Sequence, residues 1–265
     1  MKLSKDLSES ERIKIKKKFG QHFLRDTNIV QVIVDNVDIS DNTSVFEIGC
    51  GDGFLTREIL KTSIERLWVF EIDPDWASYT QKKLGQDERL TIFTENILDV
   101  DFSRFEKHAP WTLLANLPYQ ITFPILYLLQ KNIHLLKEGV VMVQEEVAQK
   151  IVKTKGRGYG FPSLFFQHYF DWKLLKKISP KSFYPPPKVY SRLLYFKPKK
   201  KIKPIVDEEK FWKFIKVCFR QPRRTLRNNL IQSHFAIERI DEDVLALRAQ
   251  QISMDDFLQI WQLIR

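Results

Sequence analysis

The sequence predicts an α/β fold, with a doubly wound parallel sheet followed by a small C-terminal all-helical domain. Over the first two thirds of the chain, short apolar runs rich in β-branched and aromatic residues alternate with amphipathic segments. This alternation is typical of βαβ units, which place helices on both faces of a parallel sheet. After Lys197 the composition becomes Lys-rich and the apolar residues take up helical spacing. With 265 residues, 43% of them hydrophobic, the chain can bury a substantial core.

Seven apolar runs are predicted to be strands. Five of them, at residues 45–48, 67–72, 90–94, 111–115 and 140–144, are predicted to be parallel. Amphipathic segments between them, such as residues 54–61 and 76–84, are predicted to be the connecting helices. Two later runs, at residues 172–178 and 190–196, are predicted to close the sheet as an antiparallel pair.

The last part of the chain is predicted to form four helices, at residues 208–219, 223–232, 242–248 and 255–263. Ser253, followed by Asp256 three residues later, is typical of a capping box at the start of the last helix. The chain is therefore divided into a basic N-terminal arm (1–18), a catalytic domain (19–200) and a helical domain (201–265).

The positive charge is concentrated near the two ends of the fold. The chain has a formal net charge of +10, which favours a polyanionic partner such as nucleic acid or an anionic membrane surface. Twelve Lys/Arg stand against three Asp/Glu between Lys197 and Asn229, and seven against three between Met1 and Gly20. Such a confined basic surface favours nucleic acid.

Several classes of protein are disfavoured by the sequence. The two cysteines, Cys50 and Cys218, are far apart, which argues against a disulfide framework and fits a reducing, cytoplasmic location. The N-terminus lacks the apolar segment of a secretory signal, and no apolar run is long enough to span a bilayer. The five histidines have no metal-ligand spacing, and we expect a monomer without a metal.

A glycine-rich turn follows the first predicted strand, at Gly49-Cys50-Gly51-Asp52-Gly53. Such a turn lets backbone approach a ligand closely beside a helix N-terminus. The spacing is G-x-G-x-G, one residue shorter than the dinucleotide pattern. Glu47, just before the turn, would disfavour a pyrophosphate and favour a cationic ligand. S-adenosylmethionine (SAM), with a sulfonium and an amino group and no phosphate, fits this description.

Polar residues also follow the next two predicted strands. Glu71 stands where a carboxylate accepts hydrogen bonds from both ribose hydroxyls of a bound nucleoside. Asn96 is placed to meet an adenine edge. The glycines and polar residues could instead be ordinary turn residues and solvated strand ends. Their occurrence at three successive strand ends favours a Rossmann-like SAM-binding sheet.

The fourth strand runs into Asn116-Leu117-Pro118-Tyr119. An aromatic amine such as adenine N6 is a weak nucleophile because its lone pair is delocalised into the ring. Acceptors aimed at its two N–H bonds, from the Asn116 side chain and the Leu117 carbonyl, would direct the lone pair toward a methyl donor. Pro118 would stiffen the turn and Tyr119 could stack on the base. A plain strand-capping turn is the alternative.

Across nearly its whole length the sequence resembles the rRNA adenine N6,N6-dimethyltransferases, in particular the small-subunit (16S) dimethyladenosine transferase branch. The resemblance rests on short segments in a specific order. They are Lys18 to Leu24, Glu47 to Gly53, Asn116 to Tyr119, Gln144 to Val147, Tyr159-Gly160, Phe183 to Val189 and Arg223 to Leu230.

The resemblance implies SAM as the methyl donor and two adjacent adenosines of the 3′-terminal hairpin of small-subunit rRNA as acceptors, in a late pre-ribosomal particle. The implied SAM contacts are His22, Leu24, Gly49, Gly51, Glu71, Asn96 and Asn116. It also implies Phe183 as a second aromatic wall facing Tyr119. His22 and Asn96 depart from the family, which usually has Asn and Asp there, and Cys50 replaces a common proline.

Basic residues near both ends are predicted to hold RNA phosphates. They are Arg220, Arg223, Arg224 and Arg227, with Lys17 and Lys18 of the N-terminal arm. Arg223 and Arg227 are four residues apart, which would place them on one face of the predicted helix over residues 223–232.

Two other functions remain open from the sequence. The large-subunit rRNA adenine methyltransferases that confer macrolide resistance share the glycine loop and a near-identical Asn-x-Pro-Tyr. The loop Phe183 to Val189 and the segment Arg223 to Asn229 favour the small-subunit branch. A non-catalytic ribosome-assembly factor is the second alternative, and the intact Asn116 to Tyr119 segment disfavours it.

Overall fold

A computed structural model describes residues 13–16 and 19–265, and these fall into two compact units. The first contains the described residues up to Ala148 together with Lys173–Pro198, and the second contains Gln149–Trp172 and Lys199–Arg265. One division therefore lies beside the predicted boundary at residue 200. Residues 149–172 group with the helical part, although the sequence placed them in the catalytic domain. Most of the predicted arm lies outside the described residues.

The sheet has the predicted mixed architecture. The strands are β1 (Phe23–Leu24), β2 (Ser44–Ile48), β3 (Arg66–Phe70), β4 (Leu90–Phe93), β5 (Trp111–Asn116), β6 (Leu136–Gln144), β7 (Phe170–Ile178), β8 (Phe183–Tyr184) and β9 (Ser191–Pro198). Seven form one sheet in the order β4-β3-β2-β5-β6-β9-β7. Strands β2 to β6 pair in parallel, and β9 is antiparallel to β6. Strands β1 and β8 form a separate antiparallel pair. The predicted α/β fold class is confirmed.

The helices begin and end close to the predicted positions in most cases. They are α1 (Thr27–Asp35), α2 (Phe54–Leu60), α3 (Pro74–Leu84), α4 (Thr122–Lys131), α5 (Glu145–Val152), α6 (Phe161–Tyr169), α7 (Glu208–Cys218), α8 (Leu226–Leu230), α9 (Glu242–Ala246) and α10 (Met254–Ile264). Ser253 and Asp256 form the predicted capping box of α10. None of the helices in the described part of the chain has the length and apolar character that crossing a bilayer requires.

An aromatic cluster holds the centre of the sheet. Phe46, on β2, is 2% exposed and packs against Trp111 and Trp68, with ring centroids 4.3 Å and 4.9 Å away. Phe70 and Phe105 complete its surroundings at 5.4 Å and 5.3 Å. Buried aromatic pairs of this kind stabilise beyond their area of burial. The cluster therefore fixes β2 between its two neighbours β3 and β5.

The parallel strands end at the same level. Ile48 at the end of β2 is opposite both Phe70 of β3 and Ala115 of β5, and Phe70 is opposite Phe93 of β4. The residues that follow these positions therefore meet at one edge of the sheet. Ligands bind at this carboxyl edge in open α/β sheets.

Glu47 does not reach that edge. Its side chain is fully buried within β2 at 0% exposure, and neither carboxyl oxygen has a hydrogen bond from the described residues. Burial raises its pKa to about 8, helped by nearby Glu71 and Asp52, while Thr56 opposes the rise without reaching hydrogen-bond geometry. Glu47 is therefore a buried acid that does not line the pocket at that edge and is mostly neutral at pH 7, so it does not supply the negative charge that the sequence expected to favour a cationic ligand.

We expect Glu47 to make folding less favourable as the pH rises. Its pKa is higher in the folded state than the ordinary 4.5, so its stabilising contribution is full below about pH 4.5 and is lost as the pH rises through about 8. The uncharged Glu47→Gln should therefore lose less free energy of unfolding than the wild type between about pH 5 and pH 8. Urea unfolding at a series of pH values measures this. Exposed Glu88→Gln is the control, and parallel curves for wild type and Glu47→Gln would contradict the assignment.

Candidate active site

A pocket lies at the carboxyl edge of the sheet, within the first unit. It has about 950 Å³ of empty space, including the part open to solvent. The lining residues that the sequence singled out are His22, Leu24, Gly49, Gly51, Glu71, Asn96, Asn116, Leu117, Pro118 and Tyr119. Residues from five separate segments of the chain therefore meet around one pocket.

The glycine loop brings backbone to the pocket surface. Gly49, Gly51 and Gly53 have φ angles of +77°, +51° and +76°, a region that side chains disfavour. A Cβ on Gly51 would lie 2.6 Å from the ring of Phe23, whereas a Cβ on Gly49 would meet no protein atom within 4 Å. Gly51 is therefore required for packing. Gly49 borders open pocket space, where a ligand can approach the main chain.

Glu71 is held at the end of β3 by main-chain donors. Its Oε2 accepts from the Gly51 N–H at 3.0 Å and its Oε1 from the Asp73 N–H at 2.9 Å. It is 6% exposed, and burial raises the pKa of its carboxyl. Each carboxylate oxygen can accept a second hydrogen bond. The Cys50 thiol already reaches Oε2 as a second donor at 3.8 Å, so the acceptor position left for a ribose hydroxyl is on Oε1.

Asn96 is oriented by the turn that it starts. Its Oδ1 accepts from the Leu98 N–H at 3.2 Å and its Nδ2 donates to Asp99 at 2.8 Å. The sequence did not single out two neighbours that also line the pocket, Glu95 and Ile72. Ile72 is 45% exposed and offers an apolar face to a flat ring. The sequence could have indicated Ile72, because it is an apolar residue directly after the strand-end carboxylate Glu71.

The side-chain amide of Asn116 is oriented by one hydrogen bond, which leaves its acceptor oxygen, Oδ1, available. Its Nδ2 donates to the main-chain carbonyl of His22 at 3.0 Å, so the amide is oriented and no described donor occupies its Oδ1. The Pro118 carbonyl already accepts from the Ile121 N–H at 3.2 Å and the Thr122 hydroxyl at 3.3 Å. The Pro118 carbonyl is therefore occupied, and the Leu117 carbonyl, which the sequence predicted as the acceptor for a substrate amine, has no such donor among the described residues.

Tyr119 lies beside Asn116 with one face against His22. The two rings are stacked, with centroids 5.9 Å apart and planes at 29°. The Tyr119 hydroxyl is hydrogen-bonded to the Ser191 hydroxyl, and burial raises the pKa of the phenol. His22 Nδ1 donates to the Pro185 carbonyl at 2.8 Å, because a carbonyl can only accept. Tyr119 is therefore a neutral, oriented aromatic wall at this end of the pocket.

Phe183 and Cys50 lie at the edge of the core. Phe183 is 4% exposed, pairs through its backbone with Leu24, and belongs to the hydrophobic cluster under the sheet rather than to the pocket lining. Its role opposite Tyr119 stays a prediction, and in this conformation the ring against Tyr119 is His22. Cys50 lines the pocket, and burial raises the pKa of its thiol well above the usual range, which disfavours a nucleophilic role.

The segment before β1 is attached to the start of α3 by an ion pair between Lys16 and Asp73, which no local sequence pattern predicts. Lys16 Nζ lies 2.6 Å from the carboxylate of Asp73, and Gln21 Nε2 donates to the same carboxylate at 2.9 Å. Asp73 is 0% exposed and also caps α3. Residues 19–24 thereby form one wall of the pocket.

The arginines of the second unit are arranged differently from the prediction. Helix α8 begins at Leu226, so Arg223 and Arg224 lie in the preceding turn and the predicted common face of Arg223 and Arg227 does not form. The reason is buried Asn229, whose amide accepts from the Gln221 N–H at 2.9 Å and donates to the Gln221 carbonyl at 3.1 Å. These two hydrogen bonds fix the backbone before Leu226 in a non-helical conformation.

The arginines of this turn and of helix α8 differ in whether they form ion pairs. Arg227 pairs with Glu242, whereas Arg220, Arg223 and Arg224 are exposed and have no ion pair among the described residues. Lys17 and Lys18 lie outside the described residues. Within the described ranges, no cluster of three or more His, Cys, Asp or Glu residues is arranged to hold a metal ion.

Comparison with known proteins agrees with the resemblance read from the motifs. Residues 12–265 match the family model "Ribosomal RNA adenine dimethylase". Proteins named "Ribosomal RNA small subunit methyltransferase A" are similar over most of the chain. The one from Chlorobium phaeobacteroides is 37% identical and covers 96% of this chain and 92% of its own. That from Persephonella marina is 34% identical and covers 93% and 92%.

Solved structures show the same fold at lower identity. A dimethyladenosine transferase from Plasmodium falciparum superposes with a TM-score of 0.76 at 22% identity, covering 90% of this chain and 96% of its own. The 23S rRNA methyltransferase ErmE gives 0.72 at 19% identity, covering 91% and 99%. At these identities the superpositions show the fold alone, and the family assignment comes from the sequence match over residues 12–265. On that match, this chain belongs to the ribosomal RNA adenine dimethylase family.

Proposed function

We propose that this protein transfers methyl groups from SAM to the N6 amines of two adjacent adenosines in the 3′-terminal hairpin of small-subunit (16S) rRNA, dimethylating each. The observation that carries the proposal is the oriented amide of Asn116, whose Nδ2 is used by the His22 carbonyl and whose Oδ1 is left at the pocket. Family membership and the small-subunit relatives support the reaction and the class of RNA.

The residues of the donor end fit SAM. Open space beside Gly49 permits main-chain approach, the remaining acceptor position on Glu71 Oε1 suits a ribose hydroxyl, and Ile72 offers an apolar face to adenine. Glu71 supplies a carboxylate to this end of the pocket, where the other acidic side chain, Glu95, is paired with Arg104, and a carboxylate lining disfavours a phosphate. SAM, when bound, supplies an electrophilic methyl group.

At the acceptor end, this chain's residues orient the amine. Asn116 Oδ1 and the Leu117 carbonyl accept the two N6–H bonds and stabilise the positive charge that develops on nitrogen. Tyr119 stacks on the base and holds its plane. The methylated nitrogen is acidic and releases its proton to water. The neutral amide of Asn116 therefore acts by position and charge stabilisation, and no strong base is required.

The basic turn of the second unit supports RNA binding. Arg220, Arg223 and Arg224 are exposed, and a turn braced by Asn229 presents them. Such groups position a nucleic acid through its phosphates without reading its bases. We infer that a monomer of this protein acts on rRNA within a late pre-ribosomal particle, and that the target adenosine leaves its stack to reach Tyr119.

The two alternatives are less well supported. A large-subunit methyltransferase would share the fold, as ErmE does, but the relatives at 34–37% identity are named for the small subunit. A non-catalytic assembly factor would have no need for the free acceptor of Asn116 or the open space at Gly49.

Mapping of transferred methyl groups tests the proposal. The purified protein is incubated with labelled SAM and, in parallel, unmethylated small subunits or protein-free large-subunit rRNA. We expect label on two adjacent adenosines near the 3′ end of the small-subunit rRNA. Label confined to the large-subunit RNA would instead establish the first alternative. Absence of label on both would favour a binding role.

Removing the oriented amide should slow methyl transfer. We expect Asn116→Ala to lower the single-turnover rate by about 10²-fold, the usual cost of losing one preorganised group that stabilises developing charge. SAM affinity, measured by calorimetry, should fall much less, because Gly49 and Glu71 remain. Exposed Asn42→Ala is the control. An Asn116→Ala protein that methylates at the wild-type rate would refute the assigned role.

Neutralising the turn should weaken RNA binding in a salt-dependent way. We expect the double variant Arg223→Gln/Arg224→Gln to raise the KM for small subunits and to reduce the slope of log affinity against log salt by about 2, about one for each phosphate contact. Exposed Arg239→Gln carries one such charge change elsewhere in the same unit and serves as the control. An unchanged salt slope would show that these arginines do not contact phosphates.

A further inference from the structure

The segment between β7 and β9 exposes two aromatic rings. Tyr184 is 63% exposed and Tyr190 is 50% exposed. Among the described residues, no other Phe, Trp or Tyr side chain is as exposed to solvent as these two. Phe183 and Ser191, their chain neighbours, are buried at 4% and 0%. The segment itself is therefore packed against the protein, and only the two tyrosine side chains point into solvent. Exposed apolar side chains on an ordered segment indicate a binding surface.

This surface is strongly basic. Between Lys173 and Ser191 there are five lysines and no acidic residue. All five are exposed, and Lys177 Nζ lies 4.5 Å from the centroid of the Tyr190 ring. Open aromatic rings interleaved with unopposed positive charge are typical of surfaces that bind single-stranded nucleic acid, through base stacking and phosphate attraction.

The surface is anchored to the acceptor end of the pocket by three separate contacts. Tyr184 pairs through its backbone with Phe23, next to the pocket residue His22. His22 Nδ1 donates to the Pro185 carbonyl at 2.8 Å, and the Ser191 hydroxyl is bonded to the Tyr119 hydroxyl. An RNA strand that delivers a base to Tyr119 therefore has this segment as its immediate neighbour.

We propose that Tyr184 and Tyr190 are stacking platforms for the nucleotides that flank the target adenosine. The inference rests on the proposed function and extends it to the RNA on either side of the methylated base. Extruding a base removes the stacking of its neighbours. Exposed tyrosines beside the pocket replace that stacking, and Lys177, beside the Tyr190 ring, is placed to balance a phosphate of the same strand. Binding of this kind does not depend on base identity, because each base has a stacking face.

Two double variants test the inference. Tyr184→Ala/Tyr190→Ala removes the rings, whereas Tyr184→Phe/Tyr190→Phe retains the stacking faces and loses only the hydroxyls. The first readout is fluorescence anisotropy with a labelled single-stranded RNA of about ten nucleotides, which needs no catalysis. The second is the KM for unmethylated small subunits at saturating SAM. Thermal unfolding and SAM calorimetry check that both proteins keep their fold and donor site.

We expect the alanine pair to weaken oligonucleotide binding and raise the KM by about tenfold or more, and the phenylalanine pair to behave like the wild type. Unchanged oligonucleotide binding by the alanine pair would overturn the inference. A raised KM with unchanged oligonucleotide binding would also overturn it and would mean that the rings contact a protein of the particle. Failure of the wild type to methylate small subunits would refute the proposed function instead, and the two failures are thus distinguishable.

Discussion

The active site depends on the in-register parallel pairing of β2 with β3 and β5. That pairing places the ends of three strands at one level, so that Gly49, Glu71 and Asn116 follow them at the same edge. A slip of one residue would turn every side chain of a strand to the opposite face. The ring of Phe46, packed between Trp68 and Trp111, opposes such a slip because each ring fits one position in the cluster.

Within that frame, hydrogen bonds decide which polar atoms remain for ligands. The Asn116 Nδ2, the Pro118 carbonyl and both carboxylate oxygens of Glu71 have partners in the protein. Each such bond contributes only about 1 kcal/mol to stability. Their larger effect is orientation, since they leave the Asn116 Oδ1 and the rest of the Glu71 carboxylate directed at the pocket. Catalysis by position requires this kind of arrangement before the substrate arrives.

The fold alone does not select the RNA. A structure named dimethyladenosine transferase and the 23S rRNA methyltransferase ErmE superpose on this chain with TM-scores of 0.76 and 0.72. Exposed surfaces outside the pocket are the candidates for selecting the RNA. Two such surfaces are basic and exposed, the Arg220 to Arg224 turn in the second unit and the Tyr184 to Tyr190 segment in the first. In both segments, buried residues fix the backbone while the basic and aromatic side chains stay exposed. These buried residues are Asn229 in the second unit and Phe183 and Ser191 in the first.

The sequence by itself determined the fold class, the order of the strands along the chain and the residues at their carboxyl ends. These follow from local patterns, because apolar alternation sets each strand and the chain position after it sets the strand end. The tertiary structure decided what depends on contacts distant in sequence. It buried Glu47 and Phe183, moved Arg223 out of α8 through Asn229, and joined Lys16 to Asp73 and His22 to Pro185. No local pattern encodes such contacts, since each requires two segments that only the packed fold brings together.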